Sequence, residues 1–165
     1  MNAVEAPKAY GVENEVKSKA WMALYRGKVS PPKDGVYRFV GLADDILLVQ
    51  FNGGFVLDGS IHNRTGFKSE SSGIKNYGSL VVGKRMELIA NQFYDIKIAI
   101  SEAPGGNFYA YLLFEQEGVT YKKNDKGNPV LPIFRIANSK TEPDKNAIDF
   151  MADGPVWRAL PAPKY

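Results

Sequence analysis

Hydrophobic and polar residues alternate with a period of two along much of this chain. In the clearest segment Tyr94, Ile96, Ile98 and Ile100 alternate with Asp95, Lys97, Ala99 and Ser101. Segments 21–25 and 108–114 repeat the pattern, which is typical of half-buried β-strands. The run 46–49 is apolar at every position and predicts a central strand with both faces covered.

Turn-forming residues separate these runs. Glycine, asparagine and proline cluster at 31–35, 52–54, 104–107 and 124–128, and these residues favour the backbone conformations of tight turns. Asn52-Gly53 between two apolar runs predicts a β-hairpin. The sequence therefore predicts an all-β fold, an antiparallel two-sheet β-sandwich of jelly-roll-like form.

The predicted domain organisation is simple. A chain of 165 residues is expected to form one domain over residues 1–165. Its sandwich core is predicted at about 18–136, with a long polar loop at 59–79 and an extended C-terminal strap at 137–165.

Composition narrows the function classes. The net charge of +3 is small and the basic residues are scattered, so no nucleic-acid partner is expected. No apolar run approaches the roughly 18–20 residues of a membrane span. With no cysteine in the chain, disulfides and thiolate metal sites are excluded.

Several motifs occur in a fixed order between Trp21 and Gly118. After the proline turn come Gly35-Val36-Tyr37-Arg38-Phe39, the pair Asp44-Asp45, the strand 47–49, Asn52-Gly53 and the strand that starts at Phe93-Tyr94. In this combination the chain resembles the protective-antigen-type (PA-14) domain family, which occurs in bacterial toxins, in glycosidases and in fungal adhesins. The resemblance implies a β-sandwich binding module.

The resemblance also implies a calcium site. In the sugar-binding members, two aspartates joined by a cis peptide bond hold Ca²⁺ together with one side chain and two backbone carbonyls from a second loop. The matching positions here are Asp44, Asp45, Glu102, Pro104 and Gly106. Glu102 departs from the adhesins, which carry an amide there. The alternative is that the two aspartates only cap a turn through their own backbone.

Several aromatic and polar residues are candidates for contact with a sugar. They are Asn107, Tyr109, Tyr111 and Tyr77, since aromatic rings provide stacking platforms for sugar rings. The alternative for each tyrosine is cross-strand packing. Catalysis is not expected, because His62 is the only histidine and no nucleophile motif such as G-x-S-x-G is present.

These expectations lead to one predicted function and two alternatives. The function is calcium-dependent binding of a glycan or cell-wall polysaccharide by a module that is extracellular, periplasmic or at the cell surface. The rival is a structural or protein-interaction domain of a larger envelope protein that has no sugar site and docks a partner domain. A third reading is an accessory part of a glycosidase.

Overall fold

A computed structural model describes residues 2–62, 65–68, 80–103, 105–138 and 147–160. Helix in this part of the chain is confined to a 3-10 turn, Ala3–Glu5, and the short α1, Ala6–Ala9, which the sequence pattern did not predict. The strands are β1 (Trp21–Ser30), β2 (Gly35–Asp44), β3 (Ile46–Phe51), β4 (Gly54–Asp58), β5 (Val81–Val82), β6 (Met86–Leu88), β7 (Tyr94–Glu102), β8 (Tyr109–Gln116) and β9 (Arg158–Leu160).

The strands form two antiparallel sheets. The first sheet has the order β4-β3-β7-β1-β9. In the second, β2 pairs with β8 along one edge and with β5 and β6 along the other. The predicted all-β, two-sheet sandwich is confirmed. No helix within the described ranges has the length and apolar character needed to cross a membrane.

The alternating pattern places side chains as predicted. In β7, Tyr94, Ile96 and Ile100 are buried while Asp95 and Lys97 are exposed. The β3–β4 hairpin turns at Asn52 and Gly53, whose φ angles of 48° and 81° lie in the left-handed region that these residue types tolerate. Strand β3 lies between β4 and β7, as expected of a run that is apolar at every position.

Trp157 fills the centre of the core. Its ring is fully buried and lies 5.3–5.8 Å, between centroids, from the rings of Tyr37, Phe39, Phe114 and Phe134. The indole therefore joins the inner faces of β2 and β8 to the segment after β8. This position explains why a C-terminal segment with little regular structure is held against the sandwich.

The buried cluster draws on more of the chain than the predicted core range of 18–136. Ala6 and Trp157 both belong to it, and β9 pairs with Lys28, Val29 and Ser30 of β1. The division into one core and one strap stays a prediction. Of the predicted loop at 59–79, residues 63–64 and 69–79 lie outside the described ranges.

Replacing Trp157 with alanine is expected to lower the free energy of unfolding by about 3–5 kcal/mol, the usual cost of removing a fully buried large aromatic side chain. The matched control is Leu160→Ala on the same segment, because Leu160 is 42% exposed. The control is expected to cost less than about 1 kcal/mol. Chemical denaturation measures both values, and equal losses would contradict the central packing role of the indole.

Candidate functional site

The acidic pair lies where the chain crosses from one sheet to the other. Asp44 is the last residue of β2, and Asp45 follows it directly before β3 begins at Ile46. The peptide bond between the two aspartates is cis. Because β3 pairs with β7 in a register that sets Ile46 opposite Ser101, the crossover lies beside Glu102 at the end of β7.

Three carboxylates converge at this crossover. One oxygen from each of Asp44, Asp45 and Glu102 lies within 4.8 Å of the other two. Glu102 is only 2% exposed, whereas the two aspartates are half-buried. The cluster therefore opens toward solvent on the aspartate side and is closed on the glutamate side.

In Asp45 and in Glu102, one carboxylate oxygen accepts a hydrogen bond from a backbone amide. The amide of Ala103 donates to Asp45 Oδ2 at 2.7 Å, and the amide of Gly105 donates to Glu102 Oε1 at 3.0 Å. Glu102 Oε2 is buried and has no hydrogen-bond partner in the described part of the protein. A buried charged oxygen without a partner is costly, so this atom calls for a ligand or a proton.

The charges of the cluster act on one another. Burial raises the pKa of Asp44 above its ordinary value, the charge of Asp45 raises it further, and nearby His62 opposes the shift. Burial likewise raises the pKa of Glu102, with the charge of Asp45 as the second cause. Both shifts indicate that three ionised carboxylates at this crossover are unfavourable without a compensating charge.

One of the two predicted carbonyl ligands already accepts a hydrogen bond. The carbonyl of Gly106 accepts a hydrogen bond from the amide of Ala3 at 2.8 Å. Ligation of a cation by this oxygen would use its second lone pair. Pro104, the other predicted carbonyl ligand, lies outside the described residues.

The predicted sugar-contact residues divide into three groups. Tyr109 pairs in register with Asp44, and its ring lies 5.9 Å from that of Tyr111 at an angle of 28°. Burial raises the pKa of Tyr109, and the charge of nearby Asp44 raises it further. Asn107 forms an isolated bridge with Asn2. Tyr77 lies outside the described residues.

Two neighbours of the acidic cluster were not predicted from the sequence. His62, expected to be an ordinary loop residue, comes near Asp44 because the amide of Ile61 donates to the carbonyl of Asp45 at 3.0 Å. The N-terminal residues Asn2 and Ala3 contact the loop that follows Glu102. Neither neighbour has a sequence signal, since both contacts join segments far apart in the chain.

A profile of the PA14 domain family matches residues 9–127. The chain belongs to the PA14 domain family. The matched range contains both the acidic pair and Glu102, so the cluster lies within the family region. PA14 domains are typically binding modules, and the described residues give no positive evidence of catalysis.

A solved structure supports the PA14 fold. The chain is similar to a PA14 sugar-binding domain from an RTX adhesin, with a TM-score of 0.51, 14% identity, and coverage of 81% of this chain and 68% of that one. It is also similar to the PA14 domain of the MpAFP antifreeze protein, with a TM-score of 0.44, 15% identity, and coverage of 62% and 46%. This chain thus spans about half of that second structure.

The chain also has a weaker similarity to the structure of an enzyme. A β-glucosidase from Kluyveromyces marxianus aligns with a TM-score of 0.40 and 20% identity over 59% of this chain and 11% of that one. No curated protein matches the chain. At 14% identity, the similarity to the RTX adhesin domain shows a common fold alone.

The raised pKa values predict a pH-dependent effect of Glu102→Gln in chelator. A raised carboxyl pKa in the folded state contributes stability that is present below the unfolded pKa and is lost as pH rises through the folded pKa. Glutamine keeps an oxygen for the Gly105 amide but carries no charge. The melting temperature of the variant relative to wild type should therefore be higher at about pH 7.5 than at about pH 4.5.

The matched control is Glu87→Gln, which removes the same charge from an exposed position on β6. The difference in melting temperature between Glu87→Gln and wild type should stay nearly constant over the same pH range. A Glu102→Gln difference that is equally flat would contradict mutual repulsion within the cluster.

Proposed function

We propose that this PA14 domain is a non-catalytic module that binds carbohydrate through a calcium ion held by Asp44, Asp45 and Glu102. One observation carries the proposal. The three carboxylates converge within 4.8 Å, and one oxygen of Glu102, Oε2, is buried without a hydrogen-bond partner among the described residues. Acidic groups are common at protein surfaces, but a buried unpaired carboxylate oxygen within such a group points to a cation.

The ligand chemistry favours calcium over other common metals. The cluster offers carboxylate oxygens, which are the donors that Ca²⁺ and Mg²⁺ prefer. The chain has no cysteine and one histidine, so a zinc set rich in sulfur and nitrogen is not available. Mg²⁺ demands near-ideal octahedral geometry, whereas Ca²⁺ accepts irregular sets of six to eight oxygens from adjacent residues.

The hydrogen bonds of the cluster leave coordination positions for a ligand. Asp45 Oδ2 and Glu102 Oε1 already accept backbone amides, so each of these residues is expected to give the ion mainly its other oxygen. Three single-oxygen ligands satisfy about half of the six to eight positions of Ca²⁺. We expect the remaining positions to lie on the solvent side of the half-buried aspartates, where two neighbouring hydroxyls of a sugar can enter.

The tyrosine platform supports a sugar as the occupant. The rings of Tyr109 and Tyr111 stack beside Asp44 and are half-buried, so a sugar ring that is bound to the ion has an apolar surface within reach. The RTX adhesin domain with the same fold is described as sugar-binding, which is consistent with this occupant. We further propose an extracellular or cell-surface location, where calcium is abundant enough for weak sites of this kind.

Calcium is expected to raise the melting temperature of the wild-type protein, because a ligand that binds only the folded state stabilises it by mass action. At about 100 times Kd the gain is about 2.7 kcal/mol. Asp45→Asn and Glu102→Gln should each weaken calcium affinity at least about tenfold in isothermal titration calorimetry. Glu87→Gln is the matched control. If millimolar calcium gives the wild-type protein neither a heat of binding nor a shift in melting temperature, the result favours the structural or protein-interaction rival.

Sugar binding is tested separately from metal binding. A glycan array should show signals in calcium that disappear in chelator and in Asp44→Asn. Tyr109→Ala should lose most of the sugar signal, because the stacking surface is removed, yet keep calcium affinity within about twofold of wild type. Calcium binding without any calcium-dependent glycan signal would contradict the carbohydrate part of the proposal and leave the metal site intact.

A further inference from the structure

The acidic cluster of Asp44, Asp45 and Glu102 has no paired lysine or arginine among the described residues. Lys19 packs its aliphatic chain toward Gly105 in the loop that follows β7, with Cγ 3.5 Å from the position that a Cβ on this glycine would take, but it forms no ion pair with the cluster. The ion pairs of the described residues are Lys28 with Asp95, Arg38 with Glu115, and Arg85 with Glu117. Positive charge therefore has to come from bound ligands.

Calcium alone would not neutralise the cluster. A carboxylate that binds a cation is ionised, so the three side chains together carry three negative charges, of which Ca²⁺ balances two. Glu102 supplies the excess, since the two aspartates by themselves would match the charge of the ion. Glu102 is only 2% exposed, and buried charges are screened by salt much less than exposed ones. A ligand that enters the open coordination positions therefore meets a site with net negative charge.

Asp44 differs from the other two carboxylates in its hydrogen bonds. Asp45 and Glu102 each accept a backbone amide of the loop that follows β7, whereas no amide of the described residues donates to the side chain of Asp44. Its hydrogen-bond contact is with Asp45, and that contact is lost when both carboxylates are ionised. With one oxygen on the ion, half-buried Asp44 is expected to keep its second oxygen for a donor from solvent.

The second oxygen of Asp44 is expected to lie beside the tyrosine platform. Asp44 of β2 is directly opposite Tyr109 of β8 in the antiparallel register, so the two side chains share a face and their Cβ atoms are about 4.5–5.5 Å apart. The charge of Asp44 also raises the pKa of Tyr109. A sugar ring that stacks on Tyr109 therefore holds its substituents within reach of the Asp44 carboxylate.

Resting on the calcium and sugar site proposed above, we propose that this site prefers sugars with a free amine on C2 over neutral sugars and excludes sugars that carry a carboxylate. In a 2-amino sugar the amine is adjacent to the hydroxyl on C3, so coordination of the hydroxyls on C3 and C4 brings the ammonium beside the ligands of the ion. The second oxygen of Asp44 accepts this group in a charge-assisted hydrogen bond. A sugar carboxylate is repelled by the same negative charge.

The test is isothermal titration calorimetry of the calcium-loaded wild-type protein with four methyl glycosides. They are a neutral hexose, its 2-amino form, its N-acetylated 2-amino form and its uronic acid, each in the gluco and the galacto series. At about pH 6.5 the free amine is protonated. The amino sugar should bind at least about tenfold more tightly than the neutral sugar, and the uronic acid at least about tenfold more weakly. The N-acetylated form, which has no charge, should bind no more tightly than the neutral sugar.

The possible results distinguish failure of this preference from failure of the proposed function. Equal affinity for the amino and the neutral sugar, or tighter binding of the uronic acid, would overturn the preference and leave the calcium-dependent sugar site standing. Calcium binding without binding of any glycoside would contradict the sugar site, and the preference falls with it. Amino-sugar binding that persists in chelator would reveal attraction to the bare carboxylates and would also overturn the proposal.

Glu102→Gln tests the source of the preference at a calcium concentration that saturates the variant. Removal of one charge leaves the loaded site neutral, so the affinities for the amino and the neutral sugar should come within about threefold of each other. The matched control is Glu87→Gln on β6, which should keep the wild-type ratio of the two affinities. A ratio that is unchanged in Glu102→Gln, or that falls equally in Glu87→Gln, would overturn the role of Glu102. Because the ratio compares two sugars on one protein, a loss of stability alone does not change it.

Discussion

The antiparallel pairing of β3 with β7 is the constraint on which both the core and the acidic site depend. Its register sets Ile46 opposite Ser101 and Leu47 opposite Ile100. The inner residues of the two strands then fill the core, while the residues just beyond the pairing, Asp45 and Glu102, are forced side by side. A slip of one residue would turn every side chain to the opposite face and separate the two carboxylates.

Local patterns were enough to predict the sheets but not their contacts. Alternation predicted β7 and β8, and Asn52-Gly53 predicted the hairpin, because these signals act between neighbours in sequence. The acidic pair was identified through a family motif, and its meeting with Glu102 follows from the strand register. The approach of Ala3 to Gly106 has no such signal, since nothing in either segment specifies a partner about a hundred residues away.

Trp157 shows the same limit in the core. A tryptophan in a polar, proline-containing tail indicates that the tail packs back on the sandwich, but the pattern does not reveal that the ring is fully buried among four aromatic rings. The sequence likewise does not predict the apolar cleft of about 910 Å³ that Gly27 and Ala110 help to line. Both are ordinary strand residues by pattern, and the cleft is seen only once the two sheets are packed together.

Within the acidic site, we expect cation binding to be coupled to the conformation of the loop that follows β7. Asp45 and Glu102 both accept amides of the loop that follows β7, and Gly106 of the same loop accepts Ala3. A cation that neutralises the carboxylates removes their mutual repulsion while these hydrogen bonds remain. We therefore expect ion binding and loop shape to stabilise one another, so that the proposed sugar would meet a loop already fixed by the proposed metal.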